Sequence, residues 1–257
     1  MNVNDPHKRF SSRVEQYARY RPGYPADIPK LLLEELSLPA GVLTVADIGS
    51  GTGLLSEVFL NSGHRVIGVE PNDPMRDTSI ELLRNESEFR ALAGSAEATG
   101  LESSSVDLLV CGQAFHWFDQ RKCAAEFCRI GRGRTPVALI WNKRLARDER
   151  SGFETAYDAI VEEFRIPERH VAHQALDDSD FASFFPTAFA KIELDNHQSL
   201  NLDGLVGRLE SASYMPQQGD PEFELMRERC QEFFERFSLE GSVTLRYRTL
   251  IVCGQLR

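Results

Sequence analysis

Hydrophobic positions recur along this chain with two distinct periods. Short apolar runs at 43–48, 65–70, 106–111 and 137–141 are bounded by glycine, proline or polar residues and read as buried strands. Between them, apolar residues return at helical spacing. Asp27 caps one such stretch, which runs through Leu36. Leu54, Leu55, Val58 and Phe59 make one face of the next, and Gly63 suits its C-terminal stop. Asp73 and Pro74 read as N-cap and first helical residue of a third helix, reaching Leu83. A short strand at 89–93 follows. Asp119 caps a fourth helix that runs to Ile130 and stops at Gly131. Alternating strands and helices predict a mainly parallel sheet covered on both faces.

The flanks are patterned differently. Phe10, Val14, Tyr17 and Ala18 share a helical face, with Arg9, Arg13, Arg19 and Arg21 set among the aromatics. Arg21-Pro-Gly-Tyr-Pro25 must break that helix. Residues 10–25 therefore read as an aromatic, basic lid on a proline hinge. Beyond the fifth strand, 151–165, 203–211 and 223–237 carry helical periodicity, and 191–197 alternates like a strand. Residues 243–252 alternate and then turn wholly apolar, which predicts a closing strand over 243–254. Nothing from 146 to 190 has the composition of a linker, and there are no repeats. One domain over 1–257 is expected, with 41–145 as its core and 146–240 capping the substrate side.

The chemistry concentrates where the first apolar run meets Asp47-Ile-Gly-Ser-Gly-Thr-Gly53. Glycines alternating at 49, 51 and 53 let the backbone bend sharply and a ligand approach closely. Glu70 ends the next strand 21 residues past Gly49, where a carboxylate meets a ribose diol in a βαβ unit. A nucleotide-like cofactor follows. A dinucleotide fingerprint would need a third glycine where Leu54 stands, and no Gly-Lys-Ser/Thr makes a phosphate loop. Asp47 would repel a pyrophosphate but can hold an ammonium group, directly or through water.

With these residues the chain resembles the class I S-adenosylmethionine (SAM)-dependent methyltransferases. The resemblance implies a Rossmann-like, doubly wound, mostly parallel seven-stranded sheet with an antiparallel last strand. It implies SAM as cofactor and S-adenosylhomocysteine as product. Gly49, Ser50, Gly51 and Gly53 would line the methionine half, and Glu70, followed by Pro71, would accept both ribose hydroxyls. Ser95, Ala96 and Glu97 would receive adenine, with Ser95 standing where this superfamily commonly has an acid. Met75 is a candidate for the adenine face. Tyr17-Ala-Arg-Tyr-Arg-Pro-Gly-Tyr-Pro25, Val69-Glu-Pro-Asn-Asp-Pro-Met-Arg76, Gly94-Ser-Ala-Glu-Ala-Thr-Gly100 and Gln113-Ala-Phe-His-Trp-Phe-Asp119 together resemble the type 11 subgroup. That subgroup includes proteins similar to trans-aconitate methyltransferases, and Tyr247-Arg-Thr near the end is typical of it. Gln113 to Phe118 leaves the end of the fourth strand, where ligands bind in open sheets. His116 and Trp117 are the catalytic candidates, His116 either as a base or as a positioning group. Tyr20 and Arg21 are candidates to close over the cofactor, with Arg21 facing its carboxylate.

Composition narrows the partners. The 257 residues carry a formal net charge of −10, which opposes tight binding to phosphate backbones. The expected acceptor is a small molecule with an oxygen or nitrogen nucleophile, with no nucleic acid, no membrane and no metal. Five scattered cysteines and no signal-like start point to free thiols in the cytoplasm, as a monomer or homodimer. A SAM-binding protein without transferase activity and a nicotinamide-dependent oxidoreductase are the alternatives.

Overall fold

The computed structural model describes residues 14–167 and 176–257, so residues 10–13 of the expected lid lie outside the described residues. Seven strands form one sheet: β1 (Thr44–Ile48), β2 (Arg65–Val69), β3 (Phe89–Leu92), β4 (Leu108–Gly112), β5 (Pro136–Arg144), β6 (Phe189–Leu200) and β7 (Val243–Gln255). Their order is β3-β2-β1-β4-β5-β7-β6. β1 to β5 run parallel, and β7 lies antiparallel to both β5 and β6. The described helices are α1 (Val14–Tyr20), α2 (Ile28–Glu35), α3 (Leu54–Asn61), α4 (Asp73–Leu82), α5 (Gln120–Ile130), α6 (Gly152–Phe164), α7 (Asp178–Phe184), α8 (Leu202–Glu210) and α9 (Phe223–Phe237). The expected doubly wound sheet with an antiparallel last strand is therefore observed.

Strand alternation divides the core between the two faces. Ala46, Ile48, Leu109, Cys111, Val137 and Leu139 pack on one side with Phe127 of α5 and Phe184 of α7. Val45, Leu108, Val110, Ala138 and Ile140 pack on the other with Leu32 of α2 and Phe59 of α3. A third cluster joins α6, α8 and α9 to Val243, Leu245 and Tyr247. Because Tyr247 pairs with Arg144, this early part of β7 lies at the carboxyl end of β5. The third cluster thus stands where the parallel strands end.

Several boundaries differ from the sequence reading. The N-cap of α4 is Asn72, not Asp73: its extended backbone lets the side-chain oxygen accept from Met75 N at 3.0 Å. Val106 makes only an isolated bridge to Gly131, and β4 proper starts at Leu108. β5 and β6 run further than expected because each is paired along its length by the long β7. α7 was not foreseen from periodicity. It is only 7 residues long, but Asp177 and Asp180 form a capping box and Phe181 and Phe184 are buried. The Phe184 ring meets Phe115 edge-on at 4.6 Å.

The proline break after α1 is pinned by tertiary contacts. Asn142 Nδ2 donates to Gly23 O at 3.0 Å, Asn196 Nδ2 donates to the same oxygen at 2.9 Å, and Gln198 Nε2 donates to Tyr20 O at 2.9 Å. Gly207 on α8 leaves the space that the Tyr20 ring fills: a Cβ there would lie 2.2 Å from the ring. Gly207→Val should therefore unseat α1. Overpacking of this kind costs about 1–3 kcal/mol, so the melting temperature should fall while the far-ultraviolet dichroism of the sheet persists. Trypsin cleavage after Arg19 should accelerate. Unchanged protection would show that Tyr20 does not anchor the segment.

Candidate functional site

The site starts from the turn after β1. Gly49 N donates to Val69 O at 2.8 Å, tying the turn to the end of β2. Gly49 has φ +69°, and a Cβ on it would stand 2.7 Å from Ala114, so both conformation and space require glycine. Gly51 has φ +55°, and its N–H donates to Glu70 Oε2 at 2.8 Å. The other Glu70 oxygen accepts from Asn72 N at 2.8 Å. A largely buried carboxylate is thereby held between two backbone donors, with its side chain on the wall of a cleft.

That cleft encloses about 160 Å³. Of the sequence candidates, Gly49, Gly51, Glu70, Pro71, Met75, Ser95, Ala96, Glu97, Gln113 and Trp117 all line it. Tyr17, Asn72 and Phe118 join them. Ser95 and Ala98 exchange backbone hydrogen bonds at 3.2 Å, and Glu97 Oε1 accepts from Asp119 N at 2.9 Å. The loop at 94–97 is thus fastened to the start of α5. Gln113 has φ +56°, a left-handed conformation that a non-glycine residue holds only when its surroundings enforce it. Its N–H donates to Ile140 O at 2.8 Å and its Nε2 to Asn142 O at 3.0 Å, so β5 supplies that enforcement.

The remaining candidates lie elsewhere. Gly53 caps α3 with φ +89°. Ser50 turns inward, with its buried Oγ lacking a partner among the described residues. Asp47 is fully buried behind the turn: Oδ2 accepts from the Ser56 hydroxyl at 2.7 Å, and Oδ1 has no partner among the described residues. Burial raises its pKa to about 7, against the Ser56 hydrogen bond and with the Glu70 charge adding to the rise. Tyr20 points to Gly207 instead of the cleft. Arg21 and His116 line an adjoining chamber of about 260 Å³, not the cleft itself. Tyr17, Gln113 and Trp117 wall both cavities.

The chamber contains groups that sequence reasoning did not assign. Arg144 and Asn142 come from β5, Arg208 from α8, Tyr214 from the loop after it, and Tyr247 from β7. The Tyr247 hydroxyl accepts from Arg208 Nε at 3.2 Å. Tyr247 had a signal in the Tyr-Arg-Thr resemblance. Arg208 and Tyr214 had none, because their segment carries only helical periodicity and no motif. Among the described residues, no helix is long and apolar enough to cross a membrane. No described group of three or more His, Cys, Asp or Glu is placed to hold a metal ion.

Residues 46–134 match the family model of a type 11 methyltransferase domain. An uncharacterized methyltransferase of Mycobacterium tuberculosis is 36% identical over 152 residues, covering 59% of this chain and 58% of that protein. One from Schizosaccharomyces pombe is 33% identical over 142 residues, covering 53% of each. The chain thus spans somewhat over half the length of the curated relatives it matches. A structure from Anaeromyxobacter dehalogenans, provisionally described as a type II methyltransferase, superposes with a TM-score of 0.68 at 20% identity, covering 92% of this chain and 98% of that one. At that identity the likeness is one of fold.

Asp47 makes a test of this electrostatic arrangement. Its folded pKa of about 7 lies above the ordinary value of 3.8. A raised carboxylate pKa favours the folded state most at low pH, and that contribution is lost as pH rises through the folded value. The stability of the wild type relative to Asp47→Asn should therefore fall between about pH 4 and pH 7, by on the order of a few kcal/mol. Urea melts at several pH values measure this difference. A pH-independent difference would show that Asp47 is not desolvated.

Proposed function

We propose that this chain, with its type 11 methyltransferase domain over 46–134, is a SAM-dependent methyltransferase acting on an oxygen or nitrogen of a small-molecule acceptor. The observation that carries this reading is the Glu70 carboxylate, held at the end of β2 by the glycine turn and exposed to a cleft that adjoins a second chamber. The residues present fit the cofactor. Glu70 offers acceptor oxygens to a ribose diol. Gly49 and Gly51 keep side chains out of the methionine end, and Met75 and Ala96 give apolar contact to a base. SAM supplies a methyl group already activated on a sulfonium.

The protein's contribution is then alignment. Tyr17, Gln113 and Trp117, which wall both cavities, would hold the acceptor atom beside the cofactor's methyl group. Holding two reactants in this way is worth about 7–11 kcal/mol of a barrier. With SAM bound, its methyl group would pass to the acceptor lone pair and the carbon–sulfur pair would stay on sulfur. His116 lines the chamber, where it positions the acceptor or takes its proton. Trp117 and Phe118 keep water from the cleft. The net charge of −10 supports a small acceptor over nucleic acid. Action in the cytoplasm, away from membranes, as a monomer or homodimer, belongs to the same proposal.

Calorimetry with SAM and S-adenosylhomocysteine tests the cofactor. Both should bind, and NAD should not. Removing Glu70 in Glu70→Ala should cost about 1.5–3 kcal/mol for each, as expected for hydrogen bonds to a charged group. Equal affinity in a folded variant would remove the ribose assignment. Gly51→Val should abolish SAM binding with less damage to folding, since valine disfavours positive φ and adds bulk beside Met75. Normal binding by that variant would move the cofactor away from the turn. Release of S-adenosylhomocysteine with a metabolite panel distinguishes a transferase from a protein that only binds SAM.

A further inference from the structure

Three arginines, Arg21, Arg144 and Arg208, line one chamber of a chain whose net charge is −10. No Asp or Glu lines it among the described residues. Arg144 is paired with Asp158 on α6, a carboxylate it shares with Arg150. Arg21 and Arg208 are not: neither makes an ion pair with a described residue. Arg21 Nη2 donates to Ser211 O at 2.9 Å, and its guanidinium lies 4.9 Å from the Tyr17 ring centre. Its Nε is buried with no hydrogen-bond partner among the described residues. Arg208 donates only from Nε, to the Tyr247 hydroxyl at 3.2 Å, which leaves both of its Nη groups without a described acceptor. Burial, and then the Arg208 charge, lower the pKa of Arg21, and both guanidinium groups face a chamber with no described carboxylate on its wall.

We propose that the chamber holds an acceptor bearing an oxyanion, a carboxylate or a phosphate monoester, bound between Arg21 and Arg208. The inference rests on the methyltransferase reading and adds the acceptor's class and orientation. Planar guanidinium groups match such oxyanions through paired N–H donors. The orientation follows from the walls. Tyr17, Gln113 and Trp117 face both cavities, whereas Arg21 and Arg208 face only the chamber. The oxyanion is therefore a handle at the far end, and the methylated oxygen or nitrogen is a different atom, at the shared wall. In the transfer, that atom's lone pair bonds to the methyl carbon, the carbon–sulfur pair stays on sulfur, and a hydroxyl or ammonium proton leaves to His116 or to water. The handle is unchanged in the product.

The test uses methyl-labelled SAM with small hydroxy and amino carboxylic acids, each beside its primary amide, and with phosphate monoesters beside neutral alcohols. Charged members should be methylated at least about 10-fold better in kcat/KM than neutral ones, and Arg208→Met should cut that preference by about 10- to 100-fold, mainly through KM. Arg208→Lys should restore part of it. SAM affinity by calorimetry should stay within about 2-fold of wild type in both Arg208 variants, which also shows that they are folded. Which charged series reacts identifies the oxyanion. Mass spectrometry should find the oxyanion intact in the product, and a methyl ester would overturn the handle. Amides or neutral alcohols turning over as well as their charged partners would overturn the proposal. So would an undiminished preference in Arg208→Met, or SAM binding with no member of either series accepted. A fall in SAM affinity in Arg21→Met, with the acceptor preference intact, would remove Arg21 from the oxyanion site. Failure of the wild type to bind SAM would instead refute the methyltransferase reading.

Discussion

The arrangement depends on one carboxylate. Glu70 accepts from Gly51 N and Asn72 N, each at 2.8 Å, and so joins the turn after β1 to the start of α4. A buried carboxylate is costly unless donors surround it, and here the donors are backbone groups that would themselves lack partners. Gly49 N and Ser50 N both donate to Val69 O, which makes the junction rigid from the other side. The ends of β1 and β2 are locked together before any ligand arrives, and pre-organisation of this kind lowers the cost of binding.

The second constraint sits one strand over. Gln113 adopts φ +56° at the end of β4, and hydrogen bonds to Ile140 O and Asn142 O hold it there. Gly112 makes room beside it, since a Cβ at that position would lie 2.7 Å from the Tyr24 hydroxyl. The chain can therefore turn so that Ala114 and Trp117 face the cleft while His116 faces the chamber. Strain is tolerated where two cavities meet, and β5 supplies the hydrogen bonds that sustain it.

The N-terminal segment is less free than its prolines suggest. Asn142, Asn196 and Gln198 bind the backbone around Tyr20 and Gly23, and Gly207 accepts the Tyr20 ring. Those partners come from β5, β6 and α8, so α1 is fixed by the same elements that build the chamber. Arg21 is carried to Ser211 by this docking, beside Arg208. The cap and the lid are consequently one structure, and any movement of α1 alters the chamber's charge as well as its shape.

Local sequence was enough for much of the core. Short apolar runs placed β1, β2, β4 and β5, and the 3.6-residue period placed the helices between them, because a strand covered on both faces is apolar throughout whereas a helix that buries one face repeats its apolar residues. The Asp47–Gly53 turn and Glu70 were legible because positive φ and a carboxylate at a strand end leave few residue choices. Asn72 was missed as a cap because Asp73 and Pro74 satisfy the same local rule, and only backbone dihedrals separate them. α7 was missed because 7 residues are too few for periodicity to show. The chamber was illegible for a stronger reason. Arg21, Asn142, Arg208 and Tyr247 are separated by much of the chain, and each reads alone as an ordinary polar or aromatic residue. Their meeting is decided by β7 pairing with β5 and by α8 docking on α1, long-range contacts that no local pattern encodes.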